Sequence, residues 1–455
     1  MSLIESHSET EYAASVPHDV LKLGFDLMWL GVESQAVIAM RLLGLGGLWH
    51  IDAGEPGLMV LEKPFGFAEA AGAALAAAHP GARLDQVLSA AVEPLPETLD
   101  AAVRAALPLA AAPGIIAAVQ SPEGRWSAAY GLADPEAGTA MAEGMHTRIG
   151  SITKTFTGTA LMQLAEEGKL SLDDPISDYV EGVPNGDRIT LRRLADMTSG
   201  IASYTQTDEF WNDFASDPQR VYAPGDLLAY AVPVSPIFEP GARFDYSNTN
   251  TVLLGMVIEK VTGQPVGEVF RSRIFEPLGL GNTLWPGRSA EMPEPLARGF
   301  TLQGNDISPE DPADATFWNP SWGWTAGEMI STLGDLLAYG HALATGQGLL
   351  GEEAQTERLA SFPEGGGYGI GVGCGGGWLG HTGELPGYNT TLYYHVGSAT
   401  TVVVQANSDI PSGDCGDADV LPENPGGVVC SGPATRVFTA LAQALGAAYV
   451  QPSAD

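Results

Sequence analysis

A chain of 455 residues is too long to close around one ordinary core, so two or three packed units are expected. Its 55 acidic residues against 21 basic ones leave a net charge of −34, which excludes nucleic acid and anionic membrane surfaces as partners and predicts a very soluble exterior. Three cysteines are too few for a disulfide scaffold and lack the spacing of metal ligands.

The N-terminus carries acidic rather than basic charge and no compact apolar run ending in a small-residue cleavage site. No export signal is read there, and the cytoplasm is the expected compartment. The most apolar stretch, Leu27 to Trp49, contains Glu33, Gln35 and Arg41 and so does not span a membrane. Residues 18 to 93 read as helices, with Trp29, Val32, Ala36, Met40 and Leu43 three and four apart, a break from Gly44 to Gly57, and an Ala-rich run from Leu58 to Ala78. This texture is compositionally similar to phasin-like proteins, the small helical coats of polyester storage granules. A plain packing or homo-oligomerisation appendage over residues 1–95 is the other reading.

Pro94-Leu95-Pro96 punctuates the chain, and residues 96–455 form the second expected unit. A helix from Glu97 to about Leu107 precedes a hairpin, Ile115–Gln120 and Trp126–Tyr130, around Pro122-Glu123-Gly124. Next comes Arg148-Ile149-Gly150-Ser151-Ile152-Thr153-Lys154-Thr155-Phe156-Thr157. Serine followed by lysine three residues on can be ordinary helix surface. Here Phe156, Ala160, Leu161 and Leu164 recur at helical spacing, so the helix faces the core, and a lysine on it must be paired or functional. Lys154 shares a helix face with Ser151 and can take its proton. Gly150 permits the tight turn, and the Ser151 N–H at the helix start is free to donate to an oxyanion.

From about residue 170 to 318 the Pro- and Gly-punctuated chain reads as a mostly helical lobe, with segments Leu191–Asp196, Asp226–Ala231 and Val252–Val261. A helix over Glu328–Ala344, strands over Tyr368–Val372, Thr390–Val396 and Thr400–Ala406, and a last amphipathic helix with Val437, Leu441 and Leu445 on one face complete the chain. Strands at both ends imply one antiparallel sheet built from sequence-distant pieces, an α+β architecture flanked by helices. Cys415 and Cys430 flank a Gly/Pro/Asp-rich loop. A disulfide there would contribute about 3 kcal/mol and suggest export; two thiols that never meet are the alternative.

Two further stretches carry polar groups suited to the same chemistry. Tyr246 and Asn248 open the Val252 helix: a phenol whose pKa a nearby cation lowers can relay a proton, and an amide can hold a lysine and a carbonyl together. A half-buried tyrosine beside an Asn cap would look the same. Gly380-His381-Thr382-Gly383-Glu384 reads as the entry to a strand, where a glycine lets a substrate approach and the next N–H points at a reacting carbonyl. A similar His79-Pro80-Gly81 lies in the appendage and is set aside.

In this order, Ser-x-x-Lys, Tyr-x-Asn and His-Thr-Gly resemble the serine β-lactamase and D,D-peptidase superfamily, in the branch of class C β-lactamases, D-alanyl-D-alanine carboxypeptidases, D-aminopeptidases and related esterases. Supporting stretches run from Asp173-Asp174-Pro175-Ile176 through Phe275-Glu276-Pro277-Leu278-Gly279 to Ala326-Gly327-Glu328-Met329-Ile330. The resemblance implies a helix-flanked antiparallel sheet (β-lactamase/transpeptidase-like) with the site against the helical lobe. It implies Ser151 as acylated nucleophile, Lys154 and Tyr246 as shared base and acid, Asn248 as positioning residue, His381 as a wall beside Thr382 and Gly383, and the N–H groups of Ser151 and Glu384 as oxyanion hole. It implies no metal and no organic cofactor. His381 stands where β-lactamases of this branch carry lysine, and Glu384 follows it, so a substrate carboxylate is expected to bind weakly. Trp318, Trp322, Trp324, Trp378 and Tyr388 are expected around the site, as a pocket for an apolar group or as core packing. The expected function is a serine hydrolase acting on small esters or on amides and peptides of D-amino acids. D-alanyl-D-alanine carboxypeptidase or weak β-lactamase action is the alternative, and a non-catalytic penicillin-binding-like protein targeted by its N-terminal helices is the alternative of another class.

Overall fold

The computed structural model describes residues 96–363 and 366–449. The expected helical appendage over residues 1–95 lies outside the described residues.

Alternating apolar residues build the strands, which in chain order are β1 (Gly114–Ser121), β2 (Gly124–Asp134), β3 (Thr139–Ala140), β4 (Thr147–Arg148), β5 (Phe300–Thr301), β6 (Ala313–Asp314), β7 (Ile330–Ser331), β8 (Gly367–Tyr368), β9 (Gly373–Gly375), β10 (Trp378–Leu385), β11 (Tyr388–His395) and β12 (Thr400–Ala406). Eight of them form one antiparallel sheet in the order β3-β2-β1-β12-β11-β10-β9-β8, so the chain's first hairpin pairs with its last strand. One face carries Ile115, Ala117, Val119, Val402 and Val404 against helices Pro96–Ala106 and Pro433–Ala444. The other carries Ile116, Ala118, Leu392 and Val403 against helices Thr153–Glu166 and Leu333–Thr345. Period-two alternation thus assigns consecutive residues to separate cores. Beyond the second core lies the expected helical lobe, with helices Leu191–Ala195, Asp208–Ser216, Pro224–Ala231 and Asn248–Thr262.

Three elements differ from the sequence reading. The helix expected from Glu328 starts at Leu333, because Ile330–Ser331 extends to pair with Thr147–Arg148. The strand expected over Tyr368–Val372 turns at Gly369–Gly371 and splits into β8 and β9. Residues 378–385, read only as a strand entry, are a full strand whose pattern two glycines conceal. Cys415 and Cys430 are joined in a disulfide, which decides between the two readings of that loop. No helix among the described residues is long and apolar enough to cross a membrane.

Candidate active site

The chain leaves β4 at Arg148 and turns through a single 3-10 turn, Gly150–Ile152, before the α-helix starts at Thr153. Gly150 has φ +51°, and a Cβ there would collide with the backbone nitrogen of Glu384 in β10. A Cβ at Gly383 would in turn collide with the Ile149 carbonyl. Two glycines therefore let the Ser151 turn and strand β10 meet backbone to backbone. In the hairpin, Gly383 faces Thr390 and Glu384 faces Asn389. β9 covers the free edge of β10 only along 378–380, leaving that edge open beside Ser151. The N–H groups of Ser151 and Glu384 thus border one small space.

Lys154 is 1% exposed. Its Nζ donates to Ser151 Oγ at 2.9 Å and to the Ala326 carbonyl at 2.8 Å, and it lies 4.9 Å from the centre of the Tyr246 ring. Burial without a carboxylate partner pushes its pKa well below the ordinary lysine value, so the amine keeps a free electron pair. Tyr246 departs from expectation: burial raises its pKa above the usual phenol value, and contact with the Ser151 hydroxyl offsets this only in part. A lysine held neutral is no cation to lower it. The ring remains a phenol, able to donate but a poor base.

His381 reaches inward from β10 and is 6% exposed. Its Nδ1 donates to the Thr382 carbonyl, leaving Nε2 to accept from Tyr368 Oη at 3.0 Å. Burial lowers its pKa to about 3, so the imidazole is neutral. Tyr368 and Tyr246 stand edge to face with ring centres 5.9 Å apart, and Phe244 lies 6.1 Å from Tyr368. Tyr368 and the Ala326 carbonyl were not singled out in the sequence. A tyrosine after three glycines offers no periodic signal, and a carbonyl offers none at all.

Asn248 and Glu384 make side-chain contacts that the sequence did not indicate. Asn248 donates through Nδ2 to Thr205 Oγ1 at 2.8 Å, and its backbone N–H donates to Ser203 Oγ at 3.1 Å; no hydrogen bond links it to Lys154 among the described residues. Its side chain pins the lobe's loop at the mouth of the site. Glu384 faces the same side of the sheet as Asn389, whose Nδ2 donates to it at 3.4 Å and whose Oδ1 holds the N–H of Ala434. Strand alternation turns its carboxyl away from His381. The Glu384 side chain is exposed to solvent on one side. Burial, with Asp409 nearby, raises its carboxyl to about 8, and water on the open side tempers that rise. Thr382 is half-buried on the Glu384 side. The expected aromatic pocket also breaks up. Trp378 is fully buried on the opposite face against Phe438, Tyr388 donates to the Ala297 carbonyl, and Trp318 and Trp322 pack on Phe214 in the lobe.

This arrangement of serine, neutral lysine, phenol and paired N–H groups coincides with a family match. The beta-lactamase family model matches residues 99–422. The chain belongs to the beta-lactamase family. Within it, the chain is 34% identical to a D-stereospecific amidohydrolase from Streptomyces sp., over 69% of this chain and 94% of that one, with a TM-score of 0.62. It is 26% identical to the D-amino acid amidase of Ochrobactrum anthropi SV3 complexed with L-phenylalanine, over 69% and 92% of the two chains, with a TM-score of 0.60. The Bacillus subtilis protein named as penicillin-binding protein PbpX is 26% identical over 57% of this chain and 61% of its own length, so the chain spans about three fifths of that relative.

Proposed function

We propose that this beta-lactamase-family chain is a serine hydrolase that cleaves small esters or amides of D-amino acids through an acyl-enzyme on Ser151. The contact of 2.9 Å between a fully buried Lys154 and Ser151 Oγ carries the reading. Lys154 takes the Ser151 proton as Oγ bonds to the substrate carbonyl carbon, and the N–H groups of Ser151 and Glu384 hold the oxyanion. Collapse breaks the bond to the leaving alcohol or amine, which receives a proton from Lys154 through Tyr246. Water then attacks the Ser151 ester and its proton passes to Lys154; the bond from Oγ to the acyl carbon breaks, Lys154 returns the proton to Oγ, and the acid leaves.

Several observations favour D-amino acid derivatives over carboxylate-terminated peptides and penicillins. The wall beside Ser151 consists of neutral His381, Tyr246, Tyr368 and Phe244, with no guanidinium hydrogen-bonded to it among the described residues. The amidohydrolase and amidase relatives are matched over nearly their full lengths. The similarity to PbpX favours a second reading, penicillin binding or D,D-carboxypeptidase action. The Cys415–Cys430 bond favours an oxidising compartment over the cytoplasm.

Intact-mass spectrometry separates these readings. The protein is exposed to a fluorophosphonate, a p-nitrophenyl ester, D- and L-phenylalanine amide and a penicillin. A labelled wild type and an unlabelled Ser151→Ala protein are expected, with D-phenylalanine amide hydrolysed and penicillin adduct scarce. Labelling of Ser151→Ala overturns the nucleophile. A stoichiometric penicillin adduct without amide hydrolysis supports the second reading.

A further inference from the structure

Apart from the Ser151 site, a cavity of about 660 Å³ lies between the end of the Asn248–Thr262 helix and the turns that follow it. This is within the range of small-molecule sites. Its apolar lining includes Val266, Phe275, Leu280, Leu284, Trp285 and Trp324. Leu284 is 37% exposed although it belongs to this lining. One wall is the five-residue π-helix Arg271–Phe275, a backbone form that recurs at binding sites.

The rim is acidic. Glu259, Glu268 and Glu276 line it, and Arg271, which is paired with Glu268 and Glu276, supplies the opposing charge. Glu259 Oε1 accepts from the N–H of Val266 at 2.9 Å, and its other oxygen has no hydrogen bond among the described residues. An indole wall with a surplus of carboxylates suits an organic cation whose apolar body enters the cavity.

The cavity is joined to the catalytic machinery in two places. Trp324 lines it with φ +37°, a left-handed conformation that costs a bulky residue energy, and Ala326 two positions later offers its carbonyl to Lys154. Leu284 exchanges backbone hydrogen bonds of 2.9 and 3.1 Å with Ile330 of β7, which pairs with Arg148 at the root of the Ser151 turn. A ligand that moves Trp324 or Leu284 acts on the residues that hold Lys154 and Ser151.

We propose that this cavity is a regulatory site for small amphipathic organic cations, separate from the Ser151 cleft. Calorimetric titration of the full chain with 2-phenylethylamine, 2-phenylethanol and 3-phenylpropionate tests it, and reads binding whether or not Ser151 turns over an ester. The amine is expected to bind best. Glu268→Gln combined with Glu276→Gln, both at exposed positions, should weaken the amine by about tenfold, the scale of losing a close charge partner. In parallel, the amine should change kcat for a p-nitrophenyl ester at saturating substrate in the wild type and not in the double variant. Equal binding of all three probes, or unchanged amine affinity in the double variant, overturns the site. Purely competitive inhibition places the amine in the Ser151 cleft and overturns it as well. Binding that leaves kcat untouched overturns the regulatory role.

Discussion

The two faces of the large sheet solve opposite problems. On the face toward helices Pro96–Ala106 and Pro433–Ala444, the buried set is Leu99, Val103, Val437, Leu441 and a cluster of rings, Trp378, Tyr393 and Phe438. The ring polar atoms there are paired, Trp378 Nε1 donating to the Ala447 carbonyl at 2.7 Å and the Tyr393 and Tyr449 hydroxyls lying 2.9 Å apart, and only the small Thr391 hydroxyl lacks a protein partner on that face among the described residues. The inner layer instead buries ionisable groups, namely Arg148, Lys154, Glu328, Arg358 and His381. Nε and Nη1 of Arg148 and both carboxyl oxygens of Glu328 lack protein partners. Burying such groups costs stability. The difference teaches that the outer face carries the fold, while the inner face holds shifted protonation states beside Ser151.

The comparison is broken most directly at Lys154. Lys154→Met keeps the bulk and removes the base, and kcat for an activated ester should fall by about four to six orders of magnitude, the range seen when nucleophile activation is lost. Circular dichroism and denaturant midpoint should show a fold at least as stable as the wild type, because a buried amine has been replaced by an apolar chain. A destabilised Lys154→Met would show that the inner layer also carries the fold.

The outer face should answer in the other currency. Phe438→Ala removes a ring packed 4.8 Å from Tyr393 and 5.1 Å from Trp378, and about 3–5 kcal/mol of unfolding free energy should be lost in a urea titration. KM and kcat of the folded fraction should stay put. A changed KM would mean that the terminal helices shape the cleft.

Glu328 sharpens the comparison through pH. Burial raises its carboxyl well above the usual range, against weaker opposing pulls from the Gly287 backbone and from Arg148. In the fold it holds its proton where the unfolded chain has released it. Its contribution is therefore full below the unfolded pKa of about 4.3 and is lost as pH rises toward the folded value, at up to about 1.4 kcal/mol per pH unit. Glu328→Gln should remove this slope. Denaturant midpoints from pH 4 to 8 for both proteins check it, and parallel curves would show that Glu328 is ionised in the fold.

The smallest effect is expected at Glu384, whose carboxyl faces Asn389 rather than the Lys154 side. Glu384→Gln should change the kcat/KM ratio between a quaternary ammonium ester and its neutral isostere by no more than about fivefold, the scale of a solvent-screened pair. The change should grow as rising pH ionises the carboxyl, whose pKa lies above the usual range. A much larger change would place the carboxyl against bound substrate.

Local pattern alone determined a good deal of this protein. The Ser151 helix, the Ile115 hairpin, the Thr400–Ala406 strand and the last helix were legible because each is a short run with its own apolar period and breakers. The order of Ser151, Lys154, Tyr246 and His381 likewise pointed to the family that the match over residues 99–422 shows. What the pattern could not carry depends on which backbone lies beside which. Strand β10 was hidden because Gly380 and Gly383 have no side chains to alternate, although Gly383 exists for its contact with the Ile149 carbonyl. Alternation set from the far end of the hairpin turned Glu384 toward Asn389, and Thr205 claimed the amide of Asn248. Trp378 and Tyr388 proved to be core residues because sequence proximity does not say which face of a strand is covered. The states of Lys154, Tyr246 and His381 were decided by tertiary burial, since a pKa follows from the water and charges that surround a group.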